Sequence, residues 1–399
     1  MKKGKYRYNG FYENWKLVKL GNFVEINPKS FLPRKFKYVD LESVVGTKLI
    51  YYREEIRESA PSRAQRVAQK GDVFYQMVRP YQKNNFLFDI NESDFVFSTG
   101  YAQLRPQCDS AFLLARLQEE GFINKVLERC TGTSYPSINS KDLSRISLTI
   151  PQDIDEQSAI GSLFCTLDTL LSSYKDNLVN YQSFKATMLS KMFPKAGQTV
   201  PEIRLEGFKG EWEKSKLKDV AHRVQGNDGR MDLPTLTISA SGGWMNQIDR
   251  FSANIAGKEQ KNYTLLKKGE LSYNHGNSKL AKYGVVFELQ EYEEALVPKV
   301  YHSFRVNQLA DAKFIEIMFS TKIPDRELGK LISSGARMDG LLNISFDDFM
   351  NISIIIPTIK EQQAIGAYFS NLDKLISSYQ EKISQLETLK KKLLQDMFI

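Results

Sequence analysis

The sequence predicts an α+β protein made of two tandem globular domains, each followed by a long helix, with the two helices pairing as an antiparallel coiled coil. Three observations carry that expectation. A segment in the middle of the chain returns almost unchanged at its end. A heptad of apolar residues runs through both copies. A common set of landmarks precedes each copy.

The repeated segment begins "EQSAIGSLFCTLDTLLSSY" at Glu156 and "EQQAIGAYFSNLDKLISSY" at Glu361. Carried to Phe193 and Phe398, the copies agree at 16 of 38 positions, too many for unrelated stretches. Apolar residues fall at Ile160, Phe164, Leu167, Leu171, Tyr174, Leu178 and Tyr181, and again at Ile365, Phe369, Leu372, Ile376, Tyr379, Ile383 and Leu386. Steps of four and three alternate in both, which is the seam of a long helix that packs against another helix. Pro151 or Pro357 stands shortly before each helix, and acidic residues nearby suit a helix N-terminus. The β-branched runs "ISLTI" and "ISIII" before the prolines read as buried strands.

The globular parts share a frame. "GFYENWKLVKL" from Gly10 matches "GFKGEWEKSKL" from Gly207, and "QKGDVFYQ" from Gln69 matches "KKGELSYN" from Lys267. Between such landmarks the halves differ almost everywhere, as expected when one scaffold presents two different surfaces. The division is therefore residues 1–150, a first globular domain; 151–196, a helical region; 201–356, a second globular domain; and 357–399, a second helical region. "PKAGQTVPEI" from Pro194 is the junction.

The chain carries a formal charge of +8, and residues 1–150, with 24 Lys and Arg against 16 Asp and Glu, account for all of it. A basic domain suggests a polyanion, nucleic acid first. Residues 201–356 hold 21 of each sign, so any grip there comes from local patches. No apolar run is long enough to cross a bilayer, and "MKKGKYRYNG" lacks the apolar stretch of a signal peptide. Cys108, Cys130 and Cys165 lie far apart and read as buried, reduced thiols, which fits a cytoplasmic protein. His222, His275 and His302 have no metal spacing, and no GxxxxGK[ST] motif is present for a nucleotide.

In this order and in two copies, these segments, with "APSRAQRVAQKGD" from Ala60, "GTSYPSIN" from Gly132, "IPQDIDEQSAIG" from Ile150 and "IPTIKEQQAIG" from Ile356, resemble the specificity subunit of Type I restriction-modification enzymes. The resemblance covers the whole chain. It implies two target-recognition domains, each reading one half of a bipartite double-stranded DNA target, and two helices that set the distance between the halves. It implies one copy of this chain per complex, two docked methyltransferase subunits, and restriction (translocase-nuclease) subunits driven by ATP. S-adenosylmethionine, ATP and Mg would then serve the partners and no cofactor this chain. The adenine-methyltransferase motifs FxGxG and [DNS]PP[YF] of the resembled system are absent, and "NPKS" at Asn27 does not replace them. The chain thus reads as non-catalytic. A scaffold with duplicated docking helices is the alternative, and the basic first domain and donor-rich loops favour DNA over it. A nuclease acting alone is disfavoured by the missing motifs.

Base reading needs side chains that reach base edges, Arg for guanine and Asn or Gln for adenine. After the "KGD" strand the first domain offers Gln76, Arg79, Tyr81 and Lys83. At the aligned place the second offers Asn274, His275, Asn277, Ser278 and Lys279. Ser62, Arg63, Gln65 and Arg66, with Thr133, Ser134 and Tyr135, form a further set suited to phosphates. Arg337 is the corresponding contact in the second domain, and Ser239 and Ser241 are further loop candidates there, beside Trp244, which reads equally well as core. The repeated polar residues Glu156, Gln157, Ser172, Ser173, Glu361, Gln362, Ser377 and Ser378 are the expected docking points for two equivalent partners.

Overall fold

A computed structural model of the chain describes residues 6–251, 257–276, 278–332 and 341–398. The chain divides into two compact units, Met1–Asn177 with Tyr379–Ile399, and Leu178–Ser378. Each unit takes the first part of one long helix and the last part of the other.

In the first unit a four-stranded sheet has the order Val24–Ile26, Tyr101–Pro106, Val73–Gln76, Phe86–Leu87, all antiparallel. A second sheet has the order Arg53–Ile56, Lys35–Val39, Phe95–Ser98, Ala64–Val67, in which Phe95–Ser98 runs parallel to Lys35–Val39. Phe74, Phe88, Phe97 and Tyr101 form an aromatic core, with Phe74 stacked on Phe97 at 3.6 Å. Helices Ser110–Leu117 and Glu120–Leu127 cover the first sheet through Leu113, Leu117, Phe122 and Val126. The second unit repeats the first sheet, in the order Ala221–Arg223, His302–Val306, Leu271–Asn274, Val285–Glu288, and packs helix Ala312–Ser320 in the same place in the chain. The runs expected as buried strands are strands, but each is half of a two-stranded ribbon with the domain's opening. Leu148 and Ile354 are buried, whereas Thr149 is half-buried and Ser353 exposed.

The two long helices span Ile154–Lys191 and Ile359–Met397, the first 38 residues and about 57 Å at 1.5 Å per residue. In the first unit Asp168 pairs with Lys390 and Lys175 with Glu387, at 2.6 Å, so one helix ascends as the other descends. In the second unit Lys185 pairs with Asp373. The repeated Asp and the repeated Lys thus meet in the same reciprocal way in both units. Such half-exposed pairs add little stability and serve to fix register.

The heptad does two jobs. Its first residues enter the globular core: Ile160, Phe164 and Leu167 pack on Phe112, and Ile365 and Phe369 sit in the core with Phe314. Later ones meet the other helix, as Tyr174 meets Tyr379 at 5.4 Å between ring centroids. The closing Met-Phe repeat is an anchor. Phe398 lies against Trp15, Phe112 and Phe164 at 5.8–6.0 Å, and Phe193 against Trp212 and Phe314 at 5.7 and 5.5 Å. Each globular domain therefore receives the end of the helix that belongs to the other half of the sequence. The cysteines are free and half-buried rather than buried.

In the second unit His302 stands edge-on to His275 at 4.6 Å, and its Nε2 meets the Ile344 carbonyl at 2.9 Å. Burial pushes its pKa below the ordinary imidazole value, and the positive Arg223 pushes the same way. A lowered folded pKa means that stability is complete above about pH 6.5 and falls as the unfolded chain takes up its proton below that. Urea midpoints are expected to fall with acid more steeply for the wild type than for His302→Gln. Superimposable pH profiles would contradict this.

Candidate nucleic-acid interface

In the first domain five loops converge. Asn27, in a left-handed conformation at φ 55°, accepts from the Gln103 amide at 3.0 Å and donates to Ser140 Oγ at 2.8 Å. Ser140 also faces Met77 Sδ at 3.8 Å. Met77 receives the Ile138 amide at 3.0 Å and donates to Gly100 O at 2.9 Å, and the Thr99 amide donates to Arg63 O at 2.8 Å. Loops 27–34, 62–66, 77–83, 99–100 and 131–140 are thereby tied into one surface. The set after the "KGD" strand and the "GTSYPS" set, separate in sequence, meet directly. The Arg79 guanidinium lies over the Tyr135 ring at 4.2 Å, and its backbone amide donates to Pro136 O at 2.7 Å. Arg79 and Lys83 both adopt left-handed backbone conformations, φ 52° and 57°, which turns the loop sharply around Pro80.

On this surface Ser62, Arg63, Gln65, Tyr81, Thr133, Ser134 and Tyr135 are exposed. Arg66 is half-buried, and burial lowers its pKa, yet a guanidinium stays charged; its Nε has no hydrogen-bond partner. Gln65 Nε2 donates to Ser62 O at 2.8 Å, which leaves its carbonyl oxygen for a ligand. One expected contact is corrected. Gln76 is 2% exposed, donates to Gln82 Oε1 at 2.8 Å and accepts the Asn84 amide at 3.2 Å, so it shapes the loop instead of reading a base. Lys83 stays half-exposed on the same loop, paired with the exposed Glu120 at 2.6 Å.

In the second domain Asn274 donates to Ile238 O at 3.2 Å and accepts the Gly276 amide at 3.0 Å, which binds the end of strand Leu271–Asn274 and the turn at Gly276 to the hairpin Leu236–Ser239 and Gly243–Asn246. Asn274 is thus a loop organiser, like Gln76 at the aligned position. His275 is a second correction of kind: it is buried, in the stack with Tyr273 and His302. Ser278 and Lys279 are exposed at the tip, and Ser239 and Ser241 face each other at 3.2 Å on the hairpin. Trp244 is half-buried and donates to Glu288 O at 3.0 Å, on the core side. Asn277 and Arg337 lie outside the described residues.

The expected docking residues divide. Glu156 and Glu361 are 1% exposed and hold Arg7 and Arg204, both at 2.6 Å. Trp15 Nε1 adds a third donor to Glu156 at 3.1 Å. Gln157 accepts the Asp109 amide at 3.0 Å and donates to Pro151 O at 2.9 Å; Gln362 accepts the Asp311 amide at 3.0 Å and donates to Pro357 O at 2.8 Å. These four are therefore corrected: they are joints inside each unit, made where a long helix starts beside a short one. Gly161 belongs to the joint, since an added Cβ would meet the Phe112 amide nitrogen at 2.6 Å. Ser172 is half-buried against Lys48 Nζ at 3.1 Å, while Ser173, Ser377 and Ser378 are exposed. Beside Ser172 a cavity of about 990 Å³ opens between hairpin 44–49 and the helices, lined by Lys48, Asp168, Lys175 and Lys390.

Sequence reasoning missed Asn27, Lys29 and Phe31. Their signal was a stretch, "NPKSFLPRK", with three cations, no acid and two apolar residues, Phe31 and Leu32, between prolines. Among the described residues no group of His, Cys, Asp and Glu could hold a metal ion, and no helix is long and apolar enough to cross a membrane.

The Type I restriction modification DNA specificity domain matches residues 12–181 and again 209–388. The chain is 20% identical to the Type I restriction enzyme MjaVIII specificity subunit of Methanocaldococcus jannaschii, over 96% of this chain and 91% of that one. In structure it is similar to the S subunit of a Type I restriction-modification system from M. genitalium, with a TM-score of 0.60, 13% identity and coverage of 100% of this chain and 99% of that one. It is also similar to a chain of a type I R-M system studied for its complex assembly and conformational transition, with a TM-score of 0.50, 19% identity and coverage of 96% and 97%. Two family domains in tandem, each on the same sheet and each closed by a long helix, make this chain a member of the Type I restriction-modification DNA specificity family, a non-catalytic subunit that recognises DNA sequence.

Proposed function

We propose that each globular domain reads one half of a bipartite double-stranded DNA target and that the paired helices hold the readers at a fixed separation. One observation carries this reading: on a repeated frame the loop that follows the aligned strands Val73–Gln76 and Leu271–Asn274 differs in chemistry between the halves, and each loop is tied to neighbouring exposed loops. In the first the cluster holds Ser62, Arg63, Gln65, Arg66, Arg79, Tyr81 and the Thr133–Tyr135 loop. In the second it holds Ser239, Ser241, Ser278 and Lys279. Arginine is suited to guanine edges and phosphates, and hydroxyls to phosphates. A helix of about 57 Å is longer than one turn of B-DNA, about 34 Å, so the spacing is within its reach.

One copy of this chain would work with two methyltransferase subunits and with restriction subunits, in the cytoplasm. The partners would use S-adenosylmethionine, ATP and Mg; this chain would need no cofactor. Ser173, Ser377 and Ser378 and the cavity beside Ser172 are the exposed docking points. The test is to express the chain with its methyltransferase in a host without adenine methylation and to map methylated adenines. Two short words separated by a constant gap are expected; methylation without a split motif would contradict the two-reader arrangement.

A further inference from the structure

Phe31 is 99% exposed, although phenylalanine is costly to leave in water. It is not on a loose segment. Pro28 is buried, Asn27 is tied to Gln103 and Ser140, and Leu32 packs beside Phe36, Tyr38 and Ala64. Pro28 and Pro33 restrict the backbone on either side. The loop is therefore a stiff mount with one ring at its tip.

The surroundings indicate what the ring meets. Lys29 and Arg34 are exposed on the same loop, which contains no acid, and Lys35 is exposed at the start of the strand that follows. Phe31 and Lys29 share a cleft of about 440 Å³ with Gln65 and with Arg66, whose Nε lacks a partner. An apolar ring ringed by cations suits a polyanion with an apolar interior. Stacked base pairs behind a phosphate backbone are that; proteins commonly bend DNA by pushing such a side chain between base steps.

We infer that Phe31 is a wedge that enters a base step within or beside the half-site read by the first domain, with Lys29, Arg34 and Arg66 on the flanking phosphates. This rests on the two-reader function proposed above. It makes the first half-site sensitive to the deformability of a step that no polar side chain reads.

The test uses the full complex of this chain with its methyltransferase on its mapped target, with dyes flanking each half-site so that energy transfer reports local bending. Wild type is expected to bend the first half-site. Phe31→Ala is expected to abolish that bend and weaken binding about tenfold, with Phe31→Leu between them and the second half-site unchanged. The ring touches little of its own protein, so alanine leaves the fold intact, which a circular dichroism melt checks. Unchanged bending and affinity in Phe31→Ala would overturn the wedge. Loss of assembly with the methyltransferase in the absence of DNA would overturn it too, and would make Phe31 a protein contact. If wild type binds no specific sequence, the two-reader function fails, and the wedge with it.

Discussion

Phe398→Ala is expected to destabilise the first unit by about 3–5 kcal/mol, the cost of deleting a fully buried aromatic ring. The residue directly follows the long helix Ile359–Met397. Here it is 3% exposed and fills the space between Trp15, Phe112 and Phe164. Phe193→Ala should cost the second unit a similar amount, since Phe193 fills the equivalent space beside Trp212 and Phe314. Hydrogen exchange resolves the two. Phe398→Ala should speed exchange in helix Ser110–Leu117 and leave helix Ala312–Ser320 protected; Phe193→Ala should do the reverse. Equal protection in wild type and Phe398→Ala would show that the anchor contributes nothing.

Glu156→Ala is the second large effect, expected at about 3 kcal/mol, the lower end for removing one partner of a buried pair because Arg7 keeps some contact with water. It strands the Arg7 guanidinium and Trp15 Nε1 together. Glu361→Ala should cost less. Arg204 is its counterpart of Arg7, but Trp212 Nε1, at the position equivalent to Trp15, makes no hydrogen bond, so Glu361 holds one donor fewer. Chemical denaturation of the purified chain measures both. A variant that keeps wild-type stability but no longer assembles with the methyltransferase would restore Glu156 to a docking role.

These two effects mark what was legible in the sequence. The long helices, their antiparallel pairing and the duplicated frame followed from spacing, because a heptad and a repeat are visible in the order of residues alone. The anchor was half visible: Met-Phe recurred, but periodicity does not show that each Phe enters the domain of the other half. Glu156 and Gln157 were misassigned for a physical reason. A polar residue repeated on a helix looks alike whether it faces a partner or satisfies a buried Arg7 and the Asp109 amide, and only burial separates the cases. Gln76 was misread similarly, and Asn274 braces its loop in the same way. Asn and Gln suit adenine edges, but the same amides brace sharp loops. Phe31 was overlooked because a lone Phe beside a Leu reads as core, and the prolines that hold it outward carry no sign of direction.

Two readers on one spacer are put to the test by the methylation map, made once for this chain and once for a variant whose residues 1–150 come from another family member. A split motif with a fixed gap is expected for the first. For the variant one half is expected to be replaced, with the other half and the gap unchanged. A change in both halves, or a variable gap, would contradict two independent readers held by a rigid spacer.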